Sequence, residues 1–153
     1  MEAALIAVLG TLLGSVVTHF FQARASVRSA ELARAEQIRQ ERIAAYSAFA
    51  GVLHDYRRAQ NDRWYRARED GPSGAADASR FASYEARIAA RAGLTRLQLV
   101  CGDATLRQLA VQAFEFTHCM HEAADESERD RRSRQAKTAL DTFVSRAAPT
   151  VDR

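Results

Sequence analysis

Lysine is nearly absent from this 153-residue chain: Lys137 stands alone against 21 arginines. With 19 acidic residues the net charge is only +3, too small a surplus to argue for nucleic acid as a partner. The arginine bias is read instead as the mark of a GC-rich coding sequence. Proline occurs only at Pro72 and Pro149, and the seven glycines form no loop of the phosphate-cradling kind. Serines lack a GxSxG setting, and no paired carboxylates fall within the apolar faces. The two cysteines do not make a disulfide framework: with a turn at Gly102-Asp103, Cys119 sits about 24 Å from Cys101 along the next helix. That suits a reducing compartment. These absences lead to the expectation of a non-enzymatic chain with no cofactor and no resident metal.

What is present begins with Ala3–Phe21, nineteen residues without a formal charge. As a helix this run is about 28 Å long, close to the roughly 30 Å hydrocarbon core of a bilayer. A cleaved signal peptide is the rival, with Ala23-Arg24-Ala25 as its small-x-small site, but Met1-Glu2 offers no basic flank and the apolar run is long for one. Arg24, Arg28 and Arg34 follow the segment and none precedes it, so the positive-inside rule puts the C-terminal side in the cytoplasm. The expected localisation is the cell membrane, by a single pass, with the lipid bilayer as first partner. Ala3, Ala7, Gly10, Gly14 and Thr18 recur at helical spacing around a GxxxG, a small face through which two such helices associate. Self-association through Gly10 and Gly14 is therefore expected.

The remainder reads as all helix, since alanine and arginine dominate and both favour helices. Residues 22–42 carry Val27, Leu32 and Ile38 as their only large apolar side chains and alternate Glu with Arg, which suits a solvated stalk. From Ile43 the apolar content rises. Tyr46, Phe49, Leu53 and Tyr56 share one face by their three-and-four spacing, with Trp64 and Tyr65 further on. A break falls at Asp70–Gly74. A second helix, capped by Asp77 or Ser79, carries Phe81, Tyr84, Ile88, Leu94, Leu97 and Val100, with Gly93 marking a break or a close crossing. Gly102 ends it and Asp103 caps a third, which buries Leu106, Leu109, Ala110, Ala113, Phe114, Thr117 and Met120. A fourth, introduced by a capping box of Ser127 and Asp130, carries Ala136, Ala139, Leu140, Phe143 and Val144 and stops before Pro149. The expected architecture is an N-terminal transmembrane helix (3–21), a stalk helix (22–42), an antiparallel four-helix bundle (43–148) and a tail (149–153).

One cluster carries potential chemistry. Glu115 and His118 form an ExxH, the i,i+3 unit of carboxylate-bridged di-iron bundles, with Cys119, His121 and Glu122 nearby. That chemistry needs a second ExxH and further glutamates on facing helices, and neither is present. A metal- or ligand-binding bundle using Glu115 and His118 is thus the alternative to the leading reading, an interaction or scaffold protein with a cytoplasmic protein partner. A third, a membrane-permeabilising effector, predicts toxicity that requires residues 1–21. His54-Asp55 are adjacent and face apart on a helix, so they do not form a base and its orienter.

The layout resembles small membrane-anchored helical proteins numerous in high-GC Gram-positive bacteria. The likeness is carried by the anchor and stalk, by Arg42, Tyr46 and Phe49 at the start of the bundle, and by Arg96–Asp103 (RLQLVCGD) before the third helix. It implies the same single-pass topology and brings over no functional residue.

Overall fold

The computed structural model describes the backbone of residues 2–69 and 72–151, and the side chains of residues 19, 22, 24, 26–69 and 72–151. The chain is helical: α1 (Glu2–Glu69), α2 (Gly74–Val100), α3 (Ala104–His118), a 3₁₀ turn (Cys119–Glu122) and α4 (Glu126–Val151), with no strand among the described residues. It divides into two compact units, Met1–Gln40 and Glu41–Arg153.

In the first unit Val27, Leu32 and Ile38 are exposed. Glu36 accepts hydrogen bonds from Arg39 and Gln40 at 2.9 and 2.7 Å, which holds its carboxyl down to about 2. The expected anchor, with Gly10 and Gly14, lies outside the residues whose side chains are described. Among the described residues no helix is long and apolar enough to cross a membrane.

The second unit is a helical bundle around one core. The face of α1 expected from its spacing, Tyr46, Phe49, Leu53 and Tyr56, is buried throughout. Phe143 of α4 sits edge-on to Tyr46 and Phe49, with ring centroids 6.1 and 5.3 Å apart, the geometry that aligns positive ring edges with negative faces. Helix α3 contributes Leu106, Ala110, Ala113 and Phe114, and α2 contributes Ala90, Leu94 and Leu97. At Gly93 α2 comes close to α1: a Cβ there would lie 2.9 Å from Val52 Cγ2 and 3.5 Å from the Phe49 Cα. The absence of a side chain is what permits that approach.

Several local expectations are corrected. The cap of α2 is Ser73, in extended backbone, whose hydroxyl accepts from the Ala76 N–H at 3.2 Å; Asp77 and Ser79 lie inside the helix. Helix α2 ends at Val100 with Cys101 extended, so Gly102 supplies no left-handed cap. The capping box before α4 is Asp125 with Glu128, two residues ahead of Ser127 and Asp130: Asp125 accepts from the Glu128 N–H and Glu128 reaches back to the Ala124 N–H, both at 2.8 Å. Helix α4 runs through Pro149 to Val151. A proline so near a helix end forfeits only its own hydrogen bond, and Thr150 Oγ1 donates to the Ala147 carbonyl at 2.6 Å. Asp103 does cap α3, accepting from Thr105 and Leu106 at 2.8 and 3.2 Å. The largest departure is on α2, where Phe81, Tyr84 and Ile88 face solvent.

Candidate functional site

The cluster that drew attention in the sequence lies where α3 winds down into the 3₁₀ turn. Gln60 of α1 is fully buried there, because a helix end leaves carbonyls without intrahelical partners and a side-chain amide can meet them. Its Nε2 lies 2.8 Å from the His118 carbonyl, 3.1 Å from Tyr56 Oη and 3.3 Å from the Thr117 carbonyl. The same His118 carbonyl lies 2.8 Å from His121 Nδ1. A carbonyl only accepts, so His121 carries its proton on Nδ1, and the 3.3 Å approach of Gln60 Nε2 to that nitrogen is donor against donor. Tyr56 Oη, receiving the Gln60 amide, in turn donates to His118 Nδ1 at 2.9 Å. Burial pushes the Tyr56 phenol up to about 12 and lowers the basicity of His121. It also raises the Cys119 thiol, which disfavours the reactive thiolate.

This arrangement does not assemble the ExxH chemistry. Glu115 is exposed, and His118 spends Nδ1 on Tyr56. Among the described residues no group of three or more His, Cys, Asp or Glu side chains is placed to hold a metal ion. Cys101 and Cys119 are free thiols, and His54 is exposed on α1. The polar residues here staple α1 to the end of α3.

A second staple, which sequence reasoning missed, follows one turn on. Trp64 is buried and its indole N–H donates to the Ala123 carbonyl at 2.9 Å. Arg68 lies 3.9 Å over the Trp64 ring and donates to the carbonyls of Ala123 and Ala124 at 2.7 and 2.9 Å. Arg129, also buried, lies over the rings of Trp64 and Tyr65, bonds the Tyr65 hydroxyl and pairs with Asp130 at 2.9 Å. Arginine fits because its guanidinium stacks on rings while donating in its own plane.

The surface carries a different feature. Phe81, Tyr84, Ile88 and Leu99 are 62, 42, 70 and 81% exposed. At 3.6 residues per turn they fall within about 60° of one line along α2, joined by Ala92 and Thr95, and opposite the buried Ser83, Ala90, Leu94 and Leu97. The first half of α2 therefore turns small residues (Ser83, Ala90) inward and Phe81, Tyr84 and Ile88 outward, while Leu94 and Leu97 of its second half pack into the core. Two apolar faces half a turn apart were visible in the sequence; which one packs inward was not. Concavities also adjoin the bundle, two of them between helices. One, about 360 Å³, is an apolar groove between α1 and α4 lined by Ile43, Tyr46, Ala50, Phe143, Ala147 and Val151 among others. The other, about 420 Å³, lies between α1 and α2 and mixes Asp55 and Asp62 with Arg58 and Arg66.

The chain is thus a helical bundle fastened between α1 and the end of α3 by polar staples, with an apolar stripe of α2 turned outward. The family described as KilB plasmid transfer protein matches residues 43–151, which is all of the bundle, and the chain belongs to that family. No curated protein and no solved structure matches the chain.

Proposed function

We propose that this chain is a membrane-tethered, cytoplasm-facing helical protein that serves plasmid transfer as a contact module and not as a catalyst. The observation that carries the reading is the family match over residues 43–151, a bundle whose α2 holds Phe81, Tyr84, Ile88 and Leu99 outward. Support for the tether comes from the nineteen uncharged residues of Ala3–Phe21 and the arginines that follow them. Arg24, Arg28 and Arg34 then add affinity for anionic lipid, about 1 kcal/mol each near the surface. The resemblance to single-pass proteins of high-GC Gram-positive bacteria belongs to the same reading, as does pairing of anchors through Gly10 and Gly14. The bundle's partner in this scheme is a protein surface in the cytoplasm.

The test joins fractionation to a mating assay. Full-length chain should require detergent for extraction, and a version lacking residues 1–21 should not. A donor whose copy of the gene is deleted should transfer its plasmid at least tenfold less often, with recovery from the full chain and none from the truncated one. Extraction without detergent, or transfer indifferent to the deletion, refutes the reading.

A further inference from the structure

We infer that the outward stripe of α2 pairs, antiparallel, with the same stripe of a second copy of this chain. The inference rests on the reading of the bundle as a contact module and names its first partner. Taking about 200 Å² for a whole large side chain, Phe81, Tyr84, Ile88 and Leu99 leave about 500 Å² of apolar surface in water, at the upper end of what a monomer carries. Two copies hide about 1,000 Å² through these four alone. With Glu85, Ala92, Thr95 and Arg96 beside them, the total enters the range of about 1,200–2,000 Å² in which stable pairs fall.

Shape and charge both select a second copy. Along α2 the stripe reads Phe81, Tyr84 and Ile88, then the smaller Ala92 and Thr95, and ends on Leu99. An antiparallel two-fold centred near Ala90 sets Ile88 against Ala92, Tyr84 against Thr95 and Phe81 against Leu99, each contact made twice. Large residues then meet small ones along most of the seam, which is how helices interdigitate. On one flank Glu85 lies about 60° and Arg96 about 80° round the helix from Ile88, the middle of the stripe, whose other members lie within about 40° of it. A two-fold of this kind brings like flanks together, so Glu85 of each copy meets Arg96 of the other. On the opposite flank Arg91 lies 4.8 Å over the Phe114 ring, towards the core, and Arg80 lies 5.9 Å over the Phe81 ring with its charge paired to Asp77 at 3.2 Å.

The test uses the full chain in density-matched detergent, with mass read by sedimentation equilibrium. Gly10→Ile and Gly14→Ile are introduced throughout, so that pairing of the anchors is not what is measured. At micromolar concentration the expected species is a dimer. Ile88→Glu, on a side chain 70% exposed, should raise the dissociation constant at least tenfold without altering helical circular dichroism or Trp64 fluorescence. Leu99→Glu should do the same. Glu85→Arg should weaken the dimer, and adding Arg96→Glu should restore it. A monomeric starting protein, a dimer indifferent to both glutamate variants, or a charge reversal that fails to rescue overturns the inference. A dimer in a chain that does not fractionate with membranes leaves this pairing standing and removes the tether; a membrane-bound monomer does the reverse.

Discussion

Adding one methyl group at Gly93, where α2 comes close to α1, should have an effect whose sign changes with its neighbour. Gly93 sits inside α2, where replacement by alanine alone would favour the helix by about 1 kcal/mol. The new Cβ, however, would stand 2.9 Å from Val52 Cγ2, well inside carbon–carbon contact. Valine on a helix has one strongly preferred χ1, so Val52 cannot swing clear without leaving it. Overfilling a packed site of this kind costs about 1–3 kcal/mol. The net effect of Gly93→Ala in the native chain is therefore a destabilisation of about 1 kcal/mol. With Val52→Ala already present the offending methyl is gone, and the next neighbour, the Phe49 Cα at 3.5 Å, is an ordinary contact. In that background Gly93→Ala should stabilise by about 0.5–1 kcal/mol, through the helix preference alone. The coupling across the cycle is then about 2 kcal/mol. Trp64, the single tryptophan and a buried one, reports unfolding of the bundle by fluorescence in a urea titration. Additive effects, or a stabilising Gly93→Ala in the native chain, would show that α1 and α2 do not meet at this point.

Other outcomes follow from the remaining contacts. Asp103→Ala removes the acceptor for two N–H groups at the start of α3 and should cost about 1 kcal/mol, while Asp103→Asn should recover most of it in the same titration. Phe143→Ala, at the ring cluster with Tyr46 and Phe49, should cost about 3–5 kcal/mol. Burial depresses His121, so the unfolded chain takes up a proton near the ordinary histidine pKa while the folded chain resists it. Stability from this group is thus present at neutral pH and lost as pH falls below about 6.5; His121→Asn, which keeps a donor for the His118 carbonyl, should flatten that slope in melting curves between pH 7 and 5.5. Tyr46 and Tyr56, both pushed up to about 12, stay neutral in the fold after the unfolded chain has begun to ionise. Their share of stability is lost as pH rises from about 10 towards 12, and ultraviolet titration should show both phenols ionising late, together with unfolding.

The sequence by itself determined the helical class, the core face of α1 and the cap of α3. Tyr46, Phe49, Leu53 and Tyr56 recur with the period of a helix turn, and Asp103 precedes an apolar run, so both are properties of a few adjacent residues. The close crossing was legible for the same reason, as a lone glycine within a helical pattern. Tertiary structure alone decided which side of α2 packs. Periodicity marks Phe81, Tyr84 and Ile88 as a stripe just as it marks Leu94 and Leu97; which of the two meets the core is settled by contacts between residues far apart in the chain, such as Gly93 against Val52. The fate of Glu115 and His118 was equally hidden. An ExxH spacing places two side chains on one helix face, but whether a histidine nitrogen is left to bind anything depends on what the facing helix supplies. Here α1 supplies Tyr56 and Gln60, and the hydrogen bonds they make turn a candidate ligand into a fastening between helices.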